Sequence, residues 1–480
     1  MAEEANQSGA TSRFGLAIVV LVALGWSMVG NLPPGPLHAD EAVQWSLAKQ
    51  LSEGTPYSSH QDKFHGPTLA TVLLIAAKVS TTVQATSLVG EVDGRDIILV
   101  DDMTEHYLRS VVSIFLGLTA AAALILPRVG KGSRYVTAAF VVLTAGCTPF
   151  AYYYVQEMLL VAGFVWGVAL WMRAEGSPPD SRWWMLSGAA FGFALACKVT
   201  AAAYLVLFLV ALLLLRRFGP DRRWLGFGLG LAGAWVLFQS VGFTDLDGLK
   251  SWWLQLARAL GVASGQSEDT LYATNLAPWV WAAAWLAVFA LTRSGLSVAG
   301  WRSRHEADLP CLVAGLVFLF HLALPYKTPW LLLLVFSLPL TLALPYLLVG
   351  RTLRAALLVP SLGAIALWAQ PSLSSHSTTV SEVTRFEGRV ASLAKAYGDK
   401  FYVAVEGGHY WPLPYYLRAH QVGYGDFPQA AKAPLRLIPA IDASEPVVAG
   451  YVVSSLTLRA GGDRYWVLVA KGYESVFISK

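Results

Sequence analysis

The sequence predicts an all-α polytopic membrane protein of about eleven transmembrane helices, followed by a small α/β domain outside the membrane. Three observations predict it. Of 480 residues, 55% are hydrophobic and only 14% are charged, whereas a soluble chain is about a quarter charged. Apolar runs such as residues 14–32 and 200–215 approach the ~20 residues that cross a bilayer as a helix. From residue 371 onward the pattern breaks into a helical stretch and short strand-like runs.

Residues 1–13 are polar and end in Arg13, which favours a cytoplasmic start. No small-residue cleavage site follows the run 14–32, so it is expected to be a retained span and not a signal peptide. A long loop, about 33–107, comes next; within it the apolar stretch 67–79 is too short for a span and is expected to lie at the interface. Spans 2 to 7 follow at about 109–127, 135–150, 157–173, 183–198, 199–215 and up to 242. A second long loop, 243–275, precedes span 8, which ends at Arg293. Span 9 closes at Pro325-Tyr326-Lys327-Thr328-Pro329-Trp330, span 10 ends before Arg351, and span 11 ends near Gln370.

The basic loops test this count. With the N-terminus inside, the clusters at 128–134, 173–182, 216–223, 293–304 and 351–354 all fall on one side. Five loops agreeing fits the positive-inside rule, and a miscount by one span would scramble them. The expected location is the inner (cytoplasmic) membrane, with the loops 33–107 and 243–275 and the tail 371–480 on the extracytoplasmic face. In the tail, 381–397 is helical in pattern, and 401–405, 451–455 and 465–470 read as strands.

Composition also excludes. The net charge of +4 is spread over many loops, which gives no nucleic-acid footprint. Cys147, Cys197 and Cys311 all sit in apolar segments, so neither a disulfide framework nor a cysteine metal cluster is expected.

Candidate chemistry concentrates in the first loop. Asp40 and Glu41 follow a Pro-rich turn, and Val43, Leu47 and Leu51 recur behind them at helical spacing, so the acids open an amphipathic helix. The helix dipole favours their ionised form, which a general base or metal ligand requires; the same acids also fit a plain helix cap. Lys63 and His65 bring cationic and hydrogen-bonding groups to this loop, and Arg109 opens span 2. Glu157, Lys198 and Lys327 stand at the edges of apolar spans, where ionisable groups are functional candidates or snorkel to water. In the tail, Tyr410, Trp411, Tyr415 and Arg418 lie in a run dense in aromatics and prolines; they suit sugar or acceptor binding, although aromatics in a soluble domain are more often core.

Carboxylates and lysines on one membrane face suit sugar transfer from a lipid phosphate. Cations stabilise the leaving phosphate, a carboxylate deprotonates the acceptor hydroxyl, and a polytopic protein supplies a groove for the lipid tail. The Asp-Glu pair in a large first loop, Lys63-Phe64-His65-Gly66-Pro67 and Arg109 resemble the GT-C glycosyltransferases, which include the protein O-mannosyltransferases and the lipid A aminoarabinose transferase. More narrowly, His38-Ala39-Asp40-Glu41, His65-Gly66-Pro67, Gln156-Glu157-Met158, Tyr326-Lys327-Thr328-Pro329-Trp330 and Tyr410-Trp411-Pro412-Leu413-Pro414 resemble the prokaryotic flippase-activity-associated family of archaeal N-glycosylation clusters. The usual Pro-Pro after the first-loop lysine is replaced by His65-Gly66-Pro67.

The resemblance implies an inverting transferase using a polyprenyl-phosphate sugar, with Asp40 as base, Glu157 as a second acidic site residue and Lys198 on the lipid phosphate. Glu41 joins the catalytic candidates; Lys63, His65, Arg109 and Lys327 join Lys198 as donor-phosphate candidates. The expected partners are the lipid-linked sugar, membrane lipid and envelope glycan-assembly proteins. The sequence specifies no cofactor; His38, Asp40, Glu41 and His65 offer donors for a divalent metal. A lipid-linked-sugar flippase without transfer chemistry is the alternative, against which no repeat symmetry of the transporter kind is visible in the sequence. A scaffold in which the acids are mere caps is a third reading.

Overall fold

A computed structural model of the chain describes residues 39–57, 66–84, 88–92, 95–127, 129, 131–146, 155–179, 181–219, 221–263, 308–324, 334, 337–338, 341–347, 379–407, 410–425, 427–441, 444–459 and 464–478. These group into two compact units. One is helical and runs from residue 50 to 98 and from 106 to 347; the other joins 39–49 and 99–105 to the tail from 379 onward. The boundary expected at 370/371, and the spans expected at 14–32, before Arg293 and before Gln370, lie outside the described residues.

The helix α1 (Ala39–Ser52) carries Asp40 and Glu41 in its first turn, where the sequence places them. It is not the half-exposed amphipathic helix the spacing of Val43, Leu47 and Leu51 predicts. Glu41, Ala42, Val43, Gln44, Trp45, Leu47 and Ala48 are all buried, so the helix is covered on nearly every face and its period carries little information.

In the helical unit, α2 (Thr68–Gln84) forms where the short apolar stretch begins. An antiparallel hairpin, β1 (Val89–Val92) with β2 (Arg95–Ile98), follows inside the first loop, registered Val89 to Ile98. Then come α3 (Glu105–Ile125), α4 (Lys131–Gly146), α5 (Glu157–Ala174), α6 (Arg182–Cys197), α7 (Thr200–Leu214), α8 (Arg223–Gln239), α9 (Gly248–Ala263), α10 (Asp308–Ala323) and the single turn α11 (Leu344–Leu347). Among the described residues α3 and α5 are long and apolar enough to cross a bilayer; Thr68–Ser80, Thr200–Leu214 and Asp308–His321 are shorter apolar helices. The second expected loop is not structureless. It holds α9, which buries Trp252 and exposes Trp253 and Leu254.

Small and aromatic residues pack this unit. A Cβ on Gly188 would lie 1.9 Å from the Phe227 carbonyl oxygen, and one on Gly192 would lie 2.2 Å from that of Leu231. Glycine spaced by four therefore lets α6 and α8 touch backbone to backbone, the contact that small-xxx-small patterns provide between apolar helices. Below it, fully buried Trp171 of α5 meets Trp184, Phe208 and Phe227 edge to face at 4.9, 5.3 and 5.3 Å between centroids.

The other unit is built on a five-stranded sheet of order β4-β3-β5-β7-β6. Its strands are β3 (Val403–Val405), β4 (Val422–Tyr424), β5 (Leu435–Pro439), β6 (Tyr451–Thr457) and β7 (Arg464–Ala470). β3 pairs parallel with β4 and β5, whereas β7 runs antiparallel to β5 and β6. Helix α12 (Ser381–Tyr397) buries Val383, Phe386, Val390 and Leu393 along one stripe and packs on β6 and on α14 (Glu474–Ile478). β4 and β5 are the strands the sequence does not announce: one has three residues with a central glycine, the other ends in Pro439.

Candidate functional site

The helix α1 places its two acids differently. Glu41 is fully buried, while Asp40 keeps partial exposure. Asp40 is thus the carboxylate that an incoming hydroxyl can reach. One turn along, Trp45 donates through Nε1 to the Val100 carbonyl at 3.3 Å, and Lys49 pairs with Asp101 at 2.7 Å.

The same unit brings the aromatic run of the tail to this helix. The short helix α13 (Leu413–Tyr416) buries Leu413, Tyr415 and Tyr416. Tyr415 meets the Trp45 ring edge to face at 5.2 Å. Arg418 lies 4.0 Å over the Tyr415 ring and donates to the Tyr415 carbonyl at 2.7 Å. Burial, and next the neighbouring Glu105 carboxylate, push the Tyr415 phenol well above its usual value, with the Glu41 charge a smaller contribution in the same direction. Tyr415, expected either to stack on sugar or acceptor or to be core, is buried and joins Arg418 to the acidic helix. Tyr410 stacks on Tyr424 at 4.9 Å and neighbours Trp411 at 6.0 Å; both Tyr410 and Trp411 stay partly exposed. The aromatic run is therefore core at Tyr415 and Tyr416 and accessible at Tyr410 and Trp411.

In the helical unit, Glu157 and Lys198 form an ion pair. Glu157 opens α5 and is 5% exposed in its side chain; Lys198 sits in the break between α6 and α7 and is 20% exposed. Lys198 adopts extended backbone geometry there as the C-cap of α6, with its N–H on the Ala194 carbonyl. A cation at a helix C-terminus is favoured by the dipole. Next to the pair, Gln156 donates to the Gly66 carbonyl at 2.5 Å. A Cβ on Gly66 would lie 2.7 Å from the Ala196 carbonyl, so only glycine lets this loop seat against the end of α6. Trp252 Nε1 closes the same end with a 3.0 Å bond to the Leu195 carbonyl. The Gly66-Pro67, Gln156-Glu157 and Lys198 motifs, far apart in sequence, converge here.

Arg109 is buried in α3, 6% exposed. A polar pair unnoticed in the sequence, Tyr204 with His321 Nε2, is hydrogen-bonded inside the bundle. Lys63, His65 and Lys327 lie outside the described residues. So do His38 and His65 of the divalent-metal reading, and among the described residues no group of three or more ligating side chains could hold an ion.

No protein-family model matches the chain. No curated protein matches it in sequence. Its fold, however, is similar to solved structures. ArnT from Cupriavidus metallidurans bound to undecaprenyl phosphate superposes with a TM-score of 0.54 at 14% identity, over 97% of this chain and 99% of that one. The Archaeoglobus fulgidus oligosaccharyltransferase in its apo form gives 0.53 at 10% identity, over 87% of this chain and 65% of that one. The same enzyme in complex with zinc and sulfate gives 0.50 at 9% identity. At these identities the likeness shows the fold alone: the chain shares its fold with ArnT and with the oligosaccharyltransferase.

Proposed function

We propose that the chain is an inverting glycosyltransferase of the inner membrane that moves a sugar from a polyprenyl-phosphate donor to an extracytoplasmic acceptor. The observation that carries this reading is the Glu157–Lys198 pair at the broken α6–α7 junction. A lysine held by a buried carboxylate, yet partly open, is an oriented cation of the kind that stabilises a departing phosphate. Glu157 acts by orienting that ammonium, not as a second base. The fold it shares with an ArnT crystallised with undecaprenyl phosphate supports a polyprenyl-phosphate partner.

In the reaction, the acceptor oxygen attacks the anomeric carbon as the bond to the phosphate oxygen breaks. The acceptor proton passes to Asp40, in the first turn of α1. The phosphate leaves as an anion on Lys198, with Lys63, His65, Arg109 and Lys327 as further candidates. Tyr410 and Trp411 offer partly exposed rings to sugar or acceptor, while Arg418 holds the tail's aromatic segment. We assign no step to a metal. The eleven-span topology and the extracytoplasmic face belong to this proposal.

The test is purified protein in bilayers with labelled polyprenyl-phosphate sugars. Transfer, or release of free lipid phosphate, supports the transferase. Movement of intact lipid-linked sugar between leaflets with no bond broken would instead establish the flippase reading.

A further inference from the structure

The tail carries a pocket that the transferase reading does not use. It has a volume of about 140 Å³ and lies between α12, β6, β7 and α14, lined by Glu382, Arg385, Arg389, Ser454, Ser455 and Phe477 among others. Arg385 and Arg389 stand one helical turn apart on the same side of α12. Neither has an ion-pair partner among the described residues. Two like charges so placed repel each other by a few tenths of a kcal/mol, and an anion between them reverses that.

The rest of the pocket has a matching polarity. The Arg389 guanidinium carbon rests 5.3 Å from the centre of the Phe477 ring, and a guanidinium recognises carboxylate or phosphate with two parallel bonds. Ser454 is exposed on β6, on the sheet face it shares with the lining residues Leu456 and Val467. Glu382 accepts from the Thr457 N–H at 3.3 Å, which leaves carboxylate lone pairs for further donors. An anion alone would gain nothing from a carboxylate in its site. A ligand with an oxyanion at one end and hydroxyls along its length would use Arg385, Arg389, Ser454 and Glu382 together. The size agrees, since drug-sized ligands occupy ~300–1,000 Å³ and this volume suits a single sugar ring.

We propose that this pocket binds one acidic monosaccharide unit, its oxyanion on Arg385 and Arg389 and its hydroxyls on Ser454 and Glu382. The proposal stands on the tail's geometry alone and does not depend on the transferase reading.

The test is calorimetric titration of the full-length protein in detergent with glucuronate, glucose 1-phosphate, glucose and inorganic phosphate. Saturable binding of glucuronate or glucose 1-phosphate is expected, at least tenfold tighter than of glucose or inorganic phosphate. The preference between the two sugars identifies the oxyanion. Arg385→Gln, on an exposed side chain that cannot unfold the domain, is expected to weaken acidic-sugar binding at least tenfold, and Arg389→Gln to do the same. Failure of both acidic sugars to saturate overturns the proposal. So does affinity unchanged by Arg385→Gln and Arg389→Gln together, or inorganic phosphate binding as tightly as glucose 1-phosphate.

Discussion

Asp40 and Glu41 are adjacent in sequence and opposite in circumstance: Asp40 is partly exposed and Glu41 is fully enclosed. Asp40→Asn separates base from cap, because asparagine caps as well as aspartate but accepts no proton. Transfer is expected to fall ~10²–10⁴-fold, the usual worth of a general base, with the thermal transition unmoved; wild-type turnover would make Asp40 structural. Lys198 needs a paired design. Lys198→Met alone strands the buried Glu157 carboxylate, which costs about 3–5 kcal/mol. Lys198→Met with Glu157→Gln removes both charges, so stability is expected to recover while donor binding stays lost. A double variant that binds donor like wild type would leave the pair a structural clasp. Tyr415 and Tyr424 make a third prediction at this scale. Burial chiefly raises both phenols above their usual value, so each is held neutral in the fold. Stability is then full below the unfolded value, near pH ~10, and falls as pH rises through it, because the unfolded chain loses those protons first. Alkaline denaturation monitored by circular dichroism is expected to start later in Tyr415→Phe and Tyr424→Phe than in wild type.

Among the elements, α6 and α8 depend on glycines that leave no room for a methyl group. Gly188→Ala places a carbon 1.9 Å from the Phe227 carbonyl, so the helices must part. Overpacking of this kind costs typically 1–3 kcal/mol, read as a lowered unfolding midpoint in detergent; an unchanged midpoint would mean that the two backbones are not in contact. The spacing Gly188-Ala-Ala-Phe-Gly192 announces this contact in the sequence. Most helices were legible for a simpler reason: long apolar runs leave a backbone one way to satisfy its hydrogen bonds. The break at Lys198 was legible as a charge inside such a run. The hairpin β1–β2 and the strands β4 and β5 were not, because three to five residues hold too few turns of a period to register. Helix α9 hid in a polar stretch whose Asp245 and Asp247 read as loop. Among the candidate residues, Asp40, Glu157 and Lys198 were visible as charges in apolar surroundings. Tyr415 was visible as one of the tail's aromatics, but not as a buried one, because a tyrosine beside other aromatics carries no sign of which one faces the acids.

For the molecule as a whole, the first acidic helix belongs to a unit otherwise made from the far end of the chain. Removing residues 371–480 strips the Tyr415 ring from Trp45 and the guanidinium of Arg418 from Asp101, to whose carbonyl it donates at 3.3 Å. The truncated protein is expected to insert and to lose transfer altogether, measured with the labelled donor; full activity would make the tail an accessory module. There is also a matter of timing. Trp45 leaves the ribosome about 370 residues before Tyr415. At ~5–20 residues per second, the acidic helix waits roughly 20–70 seconds for the segment that covers it. A nascent chain halted anywhere before its tail therefore carries the acids without the Tyr415 ring that packs on their helix.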